Sequence, residues 1–105
     1  MSEQQEARRI AGPIINDSKV TCSYSNFCRV TGSPEELIVD FGLNSQPMSG
    51  DAQSVEITQR VVLNFFTAKR LLHAMHMAVS RHEQVFGELE TDIQKRMVRP
   101  VEAKT

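Results

Sequence analysis

No proline falls between Phe65 and Met97, and the apolar residues of that stretch recur at alternating three- and four-residue steps: Ala68, Leu72, Met75, Val79, then Phe86, Leu89 and Ile93. Such spacing keeps one side of an α-helix apolar and leaves the rest to water. It predicts a long amphipathic helix, over about 65–87 and extending towards 97, whose seam needs something to lie against. Leu71, Ala74, Ala78 and Val85 widen the stripe, enough to cover a sheet and leave a second contact. Asn64 or Thr67 carries a side-chain oxygen able to accept from the free amides of the first turn. Gly87 is the natural stopping or bending point before the more polar ELETDIQKRMVRP.

The residues ahead of the helix alternate with period two, as half-buried strands do. Over 19–31, Val20, Cys22, Tyr24, Cys28 and Val30 share one parity against Thr21, Ser23, Ser25, Arg29 and Thr31. Asn26 and Phe27 break the pattern, as a bulge or an exposed aromatic would. Leu37, Val39, Phe41 and Leu43 then alternate against Ile38, Asp40 and Gly42. Between these runs, Pro34 presets a turn dihedral and Ser33 can bond the backbone after it. Ser33-x-x-Glu36 also fits a helix capping box, and the strict alternation that follows decides for a hairpin. A third strand is expected from about Ser54 to Leu63, with Val55, Ile57, Val61 and Leu63 inward and Glu56, Thr58 and Arg60 outward. Gln59 falls in the apolar register, where a sheet edge, an oligomer contact or a hydrogen-bonded buried amide would accommodate it.

Residues 44–53, with Pro47 and Gly50, read as a loop, and Ile14-Ile15 offers a further edge strand. The expected fold is therefore α+β: an antiparallel three- or four-stranded β-meander over about 19–63, packed against one long C-terminal helix. Residues 19–97 would form the single domain, with polar tails at 1–18 and 98–105.

A chain of 105 residues buries about two thirds of its potential surface, which leaves a modest stability margin, so association with a second copy would add stability. A homodimer through helix seams, sheet edges or both is expected, with Leu72, Met75, Val79, His82 and Phe86 at the contact. Twelve basic against thirteen acidic residues give a net charge of −1, which supplies no field for drawing the chain onto nucleic acid or an anionic membrane. MSEQQEARRI lacks the apolar core of a secretion signal, and no apolar run approaches the ~20 residues of a membrane span. The expected location is the cytoplasm. Cys22 and Cys28, if on one strand, would stand about 20 Å apart, too far for a disulfide, and are expected as buried reduced thiols on one face, with a redox pair as the alternative.

Nothing marks a catalytic site, and no cofactor or metal is expected. His73-x-x-His76, with Glu83 a turn away, has a spacing that can chelate a transition metal, but also describes a solvated stripe. His82 lies in the apolar register, where a charge gained on acidification would weaken a contact that buried it. Asp40, Glu35, Glu36 and Glu56 have no spacing that forces a carboxylate pair. The serines lack a nucleophile elbow, and Gly32, Gly42 and Gly50 are too scattered for a phosphate loop. Tyr24 and Phe27 beside Arg29 suggest a stacking platform for single-stranded nucleic acid. Met77, off the main seam, would mark a binding surface if exposed.

Two stretches, YSNFCRVTGSPEELIVDFG (24–42) and RVVLNFFTAKRLLHAMHMAVSRHEQVFG (60–87), resemble the paired signatures of a bacterial family of proteins catalogued as a domain of unknown function. The resemblance implies a strand-rich half followed by one long helix, and carries over no activity, cofactor or functional residue. Asn64-Phe65-Phe66-Thr67 departs from the family's more usual serine-proline helix start. The meander-plus-helix plan is also similar to export chaperones of the SecB kind, which assemble through sheet edges and helices and hold unfolded chains. The expectation is a non-enzymatic cytoplasmic interaction or scaffold protein acting as a homo-oligomer, with a SecB-like holdase as one form of it. Single-stranded nucleic-acid binding and a metal site on the helix histidines are the alternatives.

Overall fold

A computed structural model describes residues 12–48 and 54–99. Strands β1 (Phe27–Gly32), β2 (Glu36–Leu43) and β3 (Glu56–Asn64) form an antiparallel sheet in the order β1-β2-β3. Helix α1 (Phe65–Phe86) follows, and then the single turn α2 (Ile93–Arg96). The α+β meander with one long helix is the fold that the alternation and the helical spacing imply. Three strands stand among the described residues.

The hairpin between β1 and β2 turns on Ser33. Its Oγ accepts from the Glu36 amide at 3.1 Å, and its own amide donates to the Glu36 carbonyl at 2.9 Å. A tight turn of this kind fixes the register on both sides of it, pairing Gly32 with Leu37, Arg29 with Asp40 and Phe27 with Gly42.

β1 is shorter than the alternation over 19–31 implies. Val20 and Tyr24 lie exposed outside the strand, because β2 ends at Leu43 and leaves no partner for them. Asn26 closes this end of the ladder with its side chain. Its Nδ2 donates to the Asn44 carbonyl at 2.8 Å while its Oδ1 accepts from the Asn44 amide at 2.7 Å, so the carboxamide takes the place of a peptide unit. Cys22 therefore does not share a strand with Cys28. Both are free and exposed. Ile14 and Ile15, read as a further edge strand, are irregular and more than four-fifths exposed. The tail readings at 1–18 and 98–105 and the loop reading at 44–53 extend onto residues outside those described.

β3 pairs in register from Asn64 to Gln59, opposite Phe41. The next partner, Gly42, lies opposite Ile57 and leaves Thr58 as the extra residue of a β-bulge. A bulge exchanges the faces of the residues beyond it. Val55 and Ile57 consequently lie against Gly42, on the side opposite Val61 and Leu63, rather than inward with them. The uniform inward register over 54–63 is corrected by this single residue.

Asn64 ends β3 and caps α1, its Oδ1 accepting from the Thr67 amide at 2.8 Å. At the other end Gly87 adopts φ +96°, a conformation that glycine takes at no steric cost, and its amide donates to the Glu83 carbonyl at 2.8 Å. The helix therefore stops at Phe86 and does not run on to 97. The larger difference from expectation is where α1 lies. It does not pack along its own sheet: no residue of it is buried, and its contacts with β2 and β3 are few. Phe65 reaches back to the sheet, its ring 3.6 Å from where a Gly32 Cβ would stand. Helical periodicity specifies an apolar face but not whose surface covers it.

Candidate interaction surface

The residues that the helical spacing singled out lie on one side of α1 and open to solvent. Leu72 is 68% exposed and Phe86 75%, with Met75 and Val79 about half exposed between them. His82 lies within this line with its ring tilted 40° against that of Phe86, the centroids 4.8 Å apart. Leu71 and Val85 widen the open stripe, and Met77 is also exposed.

The sheet carries a second open apolar surface. Alternation along the paired strands places Cys28, Val30, Leu37, Val39, Phe41, Val61 and Leu63 on one face. Val30 is 60% exposed, and Leu37, Val39, Phe41 and Leu63 are half-buried. Gln59 shares this face on the edge strand β3, beside a shallow depression lined by Ser23, Tyr24, Ser25 and Phe41. Among the described residues no hydrophobic side chain is buried.

The opposite face carries an ionic cluster that residue spacing alone does not assemble, beside Phe27, Ile38 and Val62, of which Val62 is half exposed. Asp40, at the centre of β2, is only 1% exposed. Arg29 from β1 donates to its Oδ2 through Nη2 at 2.6 Å and Nε at 3.2 Å. Arg60 from β3 donates through Nε to Oδ1 at 2.6 Å and through Nη2 to Oδ2 at 3.2 Å. The three residues are direct cross-strand neighbours. The hairpin turn contained the signal for half of this cluster, since a tight turn at Ser33–Glu36 places Arg29 opposite Asp40.

Hydrogen bonds from Arg60 and then Arg29 lower the Asp40 pKa from 3.8 to about 2, against the opposing effect of burial. The same bond raises that of Arg60. A carboxyl whose folded pKa lies below its unfolded value contributes stability that is complete above about pH 4 and is lost as the pH falls through about 2. Acid titration followed by far-ultraviolet circular dichroism is expected to show a loss of sheet signal in that window. Asp40→Asn should remove this limb and be less stable at neutral pH, because two guanidinium groups would then face each other without a carboxylate between them.

The other constellations are not brought together. Phe27 and Arg29 lie on the Asp40 face while Tyr24 lies beside Phe41 and Gln59 on the opposite side, and Arg29 is committed to Asp40. The stacking platform is thus divided between two faces. Glu83, set with His73 and His76 in the metal reading, accepts from the Leu89 amide at 2.8 Å. No three His, Cys, Asp or Glu side chains among the described residues converge as a metal site would require. No helix among those residues is long and apolar enough to cross a membrane.

Comparison with curated proteins and with solved structures returned no match. Residues 1–91 match the family described as protein of unknown function (DUF3467), and the chain belongs to that family.

Proposed function

We propose that this chain is a non-enzymatic protein–protein interaction or scaffold protein of the cytoplasm that works as a homo-oligomer, with Leu72, Met75, Val79, His82 and Phe86 at its contact. One observation carries the reading: no hydrophobic side chain among the described residues is buried within the protomer. Burial of apolar surface is the dominant favourable term in folding, about 1.5–3 kcal/mol for each large aliphatic or aromatic side chain. Most of a helix's stability in a protein comes from packing its amphipathic face rather than from intrinsic propensity, and the face of α1 is open. A second copy is the partner always at hand, and it offers both missing surfaces.

The test is multi-angle light scattering combined with thermal unfolding over a range of protein concentration. A dimer or higher multiple of the 11.8 kDa chain is expected, with a melting temperature that rises with concentration, since association stabilises by mass action. A folded monomer whose melting temperature is independent of concentration would overturn the reading.

A further inference from the structure

We propose that α1 covers the apolar sheet face of a second copy, the two copies exchanging helices about a two-fold axis; the inference rests on the self-association proposed above and names its geometry. β3 ends at Asn64 and α1 begins at Phe65, with no residue between them, and Asn64 serves both elements. Connections that fold one element back on its neighbour commonly use two to six residues. Laying α1 on its own sheet would require spending the capped first turn as a loop and losing the Asn64–Thr67 bond.

Among the described residues, the α1 stripe and the sheet face bearing Val30, Leu37, Val39 and Phe41 are apolar surfaces left uncovered. Twenty-two helical residues span about 33 Å, and the nine residues of β3 about 30 Å, so the helix is long enough to cross the sheet it would cover. The stripe is also wider than a coiled-coil seam. Leu71, Ala78 and Val85 extend the line of Leu72, Met75 and Val79, giving the three-in-seven apolar face of a helix that packs on a broad surface.

Leu72, Met75, Val79, Val85 and Phe86 each leave between 45% and 75% of their surface open, and a stable dimer takes ~800 Å² from each partner. A two-fold exchange uses each surface once per copy and closes. Pairing stripe against stripe would leave both sheet faces open to water.

Cys28 supplies a native probe, because it lies on the apolar face opposite Phe41 and is free and exposed. One full-length chain carries Cys22→Ser and keeps Cys28. The other carries Cys22→Ser, Cys28→Ser and Met75→Cys. The two, distinguished by mass, are unfolded, mixed in equal amounts, refolded and treated with a short bifunctional maleimide. The expected product joins the two kinds of chain, at least tenfold above any product joining two Met75→Cys chains. Leu72→Cys, one turn away, repeats the test at a second position.

Predominant joining of two helix-thiol chains would overturn the exchange, as would a chain carrying both thiols that links only to itself at high dilution. Absence of the mixed product at both helix positions, with light scattering still reporting a dimer, would also overturn it and leave the self-association reading standing. A monomer by light scattering would remove both.

Discussion

Val79→Asp is expected to convert the proposed oligomer to monomer and to leave most of the protein unfolded at low micromolar concentration. Val79 lies at the centre of the α1 stripe, with Met75 a turn before it and His82 nearly a turn after, about half exposed in the protomer. In the associated state its side chain would be covered, and losing a buried valine costs about 1.5–3 kcal/mol. A carboxylate in the same place must also be stripped of water without a partner, which costs several kcal/mol more unless it takes up a proton. A total above ~4 kcal/mol weakens association roughly a thousandfold or more. Because little apolar surface is covered inside the protomer, dissociation should take the helix with it. Light scattering and circular dichroism at matched concentration check both consequences. Arg81→Ala, exposed on another side of α1, should leave mass and helicity unchanged. A fully stable dimer of Val79→Asp would contradict the assignment of this stripe to the contact.

What the sequence revealed and what it hid divide along physical lines. Local features were legible because local chemistry dictates them: the alternation of Leu37, Val39 and Phe41, the Ser33 turn, the Asn64 cap and the Gly87 stop. Features that depend on a partner segment were not. The alternation over 19–25 is strand-like, yet those residues have nothing to pair with once β2 ends at Leu43. The Thr58 bulge is invisible to a reading of constant period and reverses the side on which Val55 and Ile57 lie. Asp40 read as one outward residue among several. Its burial depends on register with both neighbours, and only the tight hairpin turn fixes a register from sequence; the longer β2–β3 connection does not, so Arg60 could not be placed. The histidines show the converse case. Helical spacing put His73 and His76 within reach of each other, but no third ligand converges on them among the described residues.

Gly42→Ala is expected to lower the melting temperature by roughly 5–15 °C at fixed protein concentration, corresponding to about 1–3 kcal/mol of overpacking. Gly42 has no left-handed φ to protect, so the cost lies in space rather than in backbone preference. A Cβ built there stands 2.7 Å from the Glu56 carbonyl oxygen, 3.1 Å from Val55 Cγ1 and 3.3 Å from Ile57 Cδ1. The two side chains can yield by a few tenths of an ångström. The carbonyl belongs to β3 immediately beyond the bulge, and moving it means moving the strand. Glycine at position 42 thus permits the close approach that lets Val55 and Ile57 lie over the end of the central strand, on the face of the Arg29–Asp40–Arg60 cluster. Gly32→Ala is the matched control: its Cβ would meet Phe65 at 3.6 Å and the Glu36 carbonyl at 3.7 Å, ordinary contacts, and its melting temperature should stay within a few degrees of the parent. Equal stability of the two variants would mean that β3 gives way freely beside Gly42, and that the bulge tolerates a side chain where the geometry leaves no room for one.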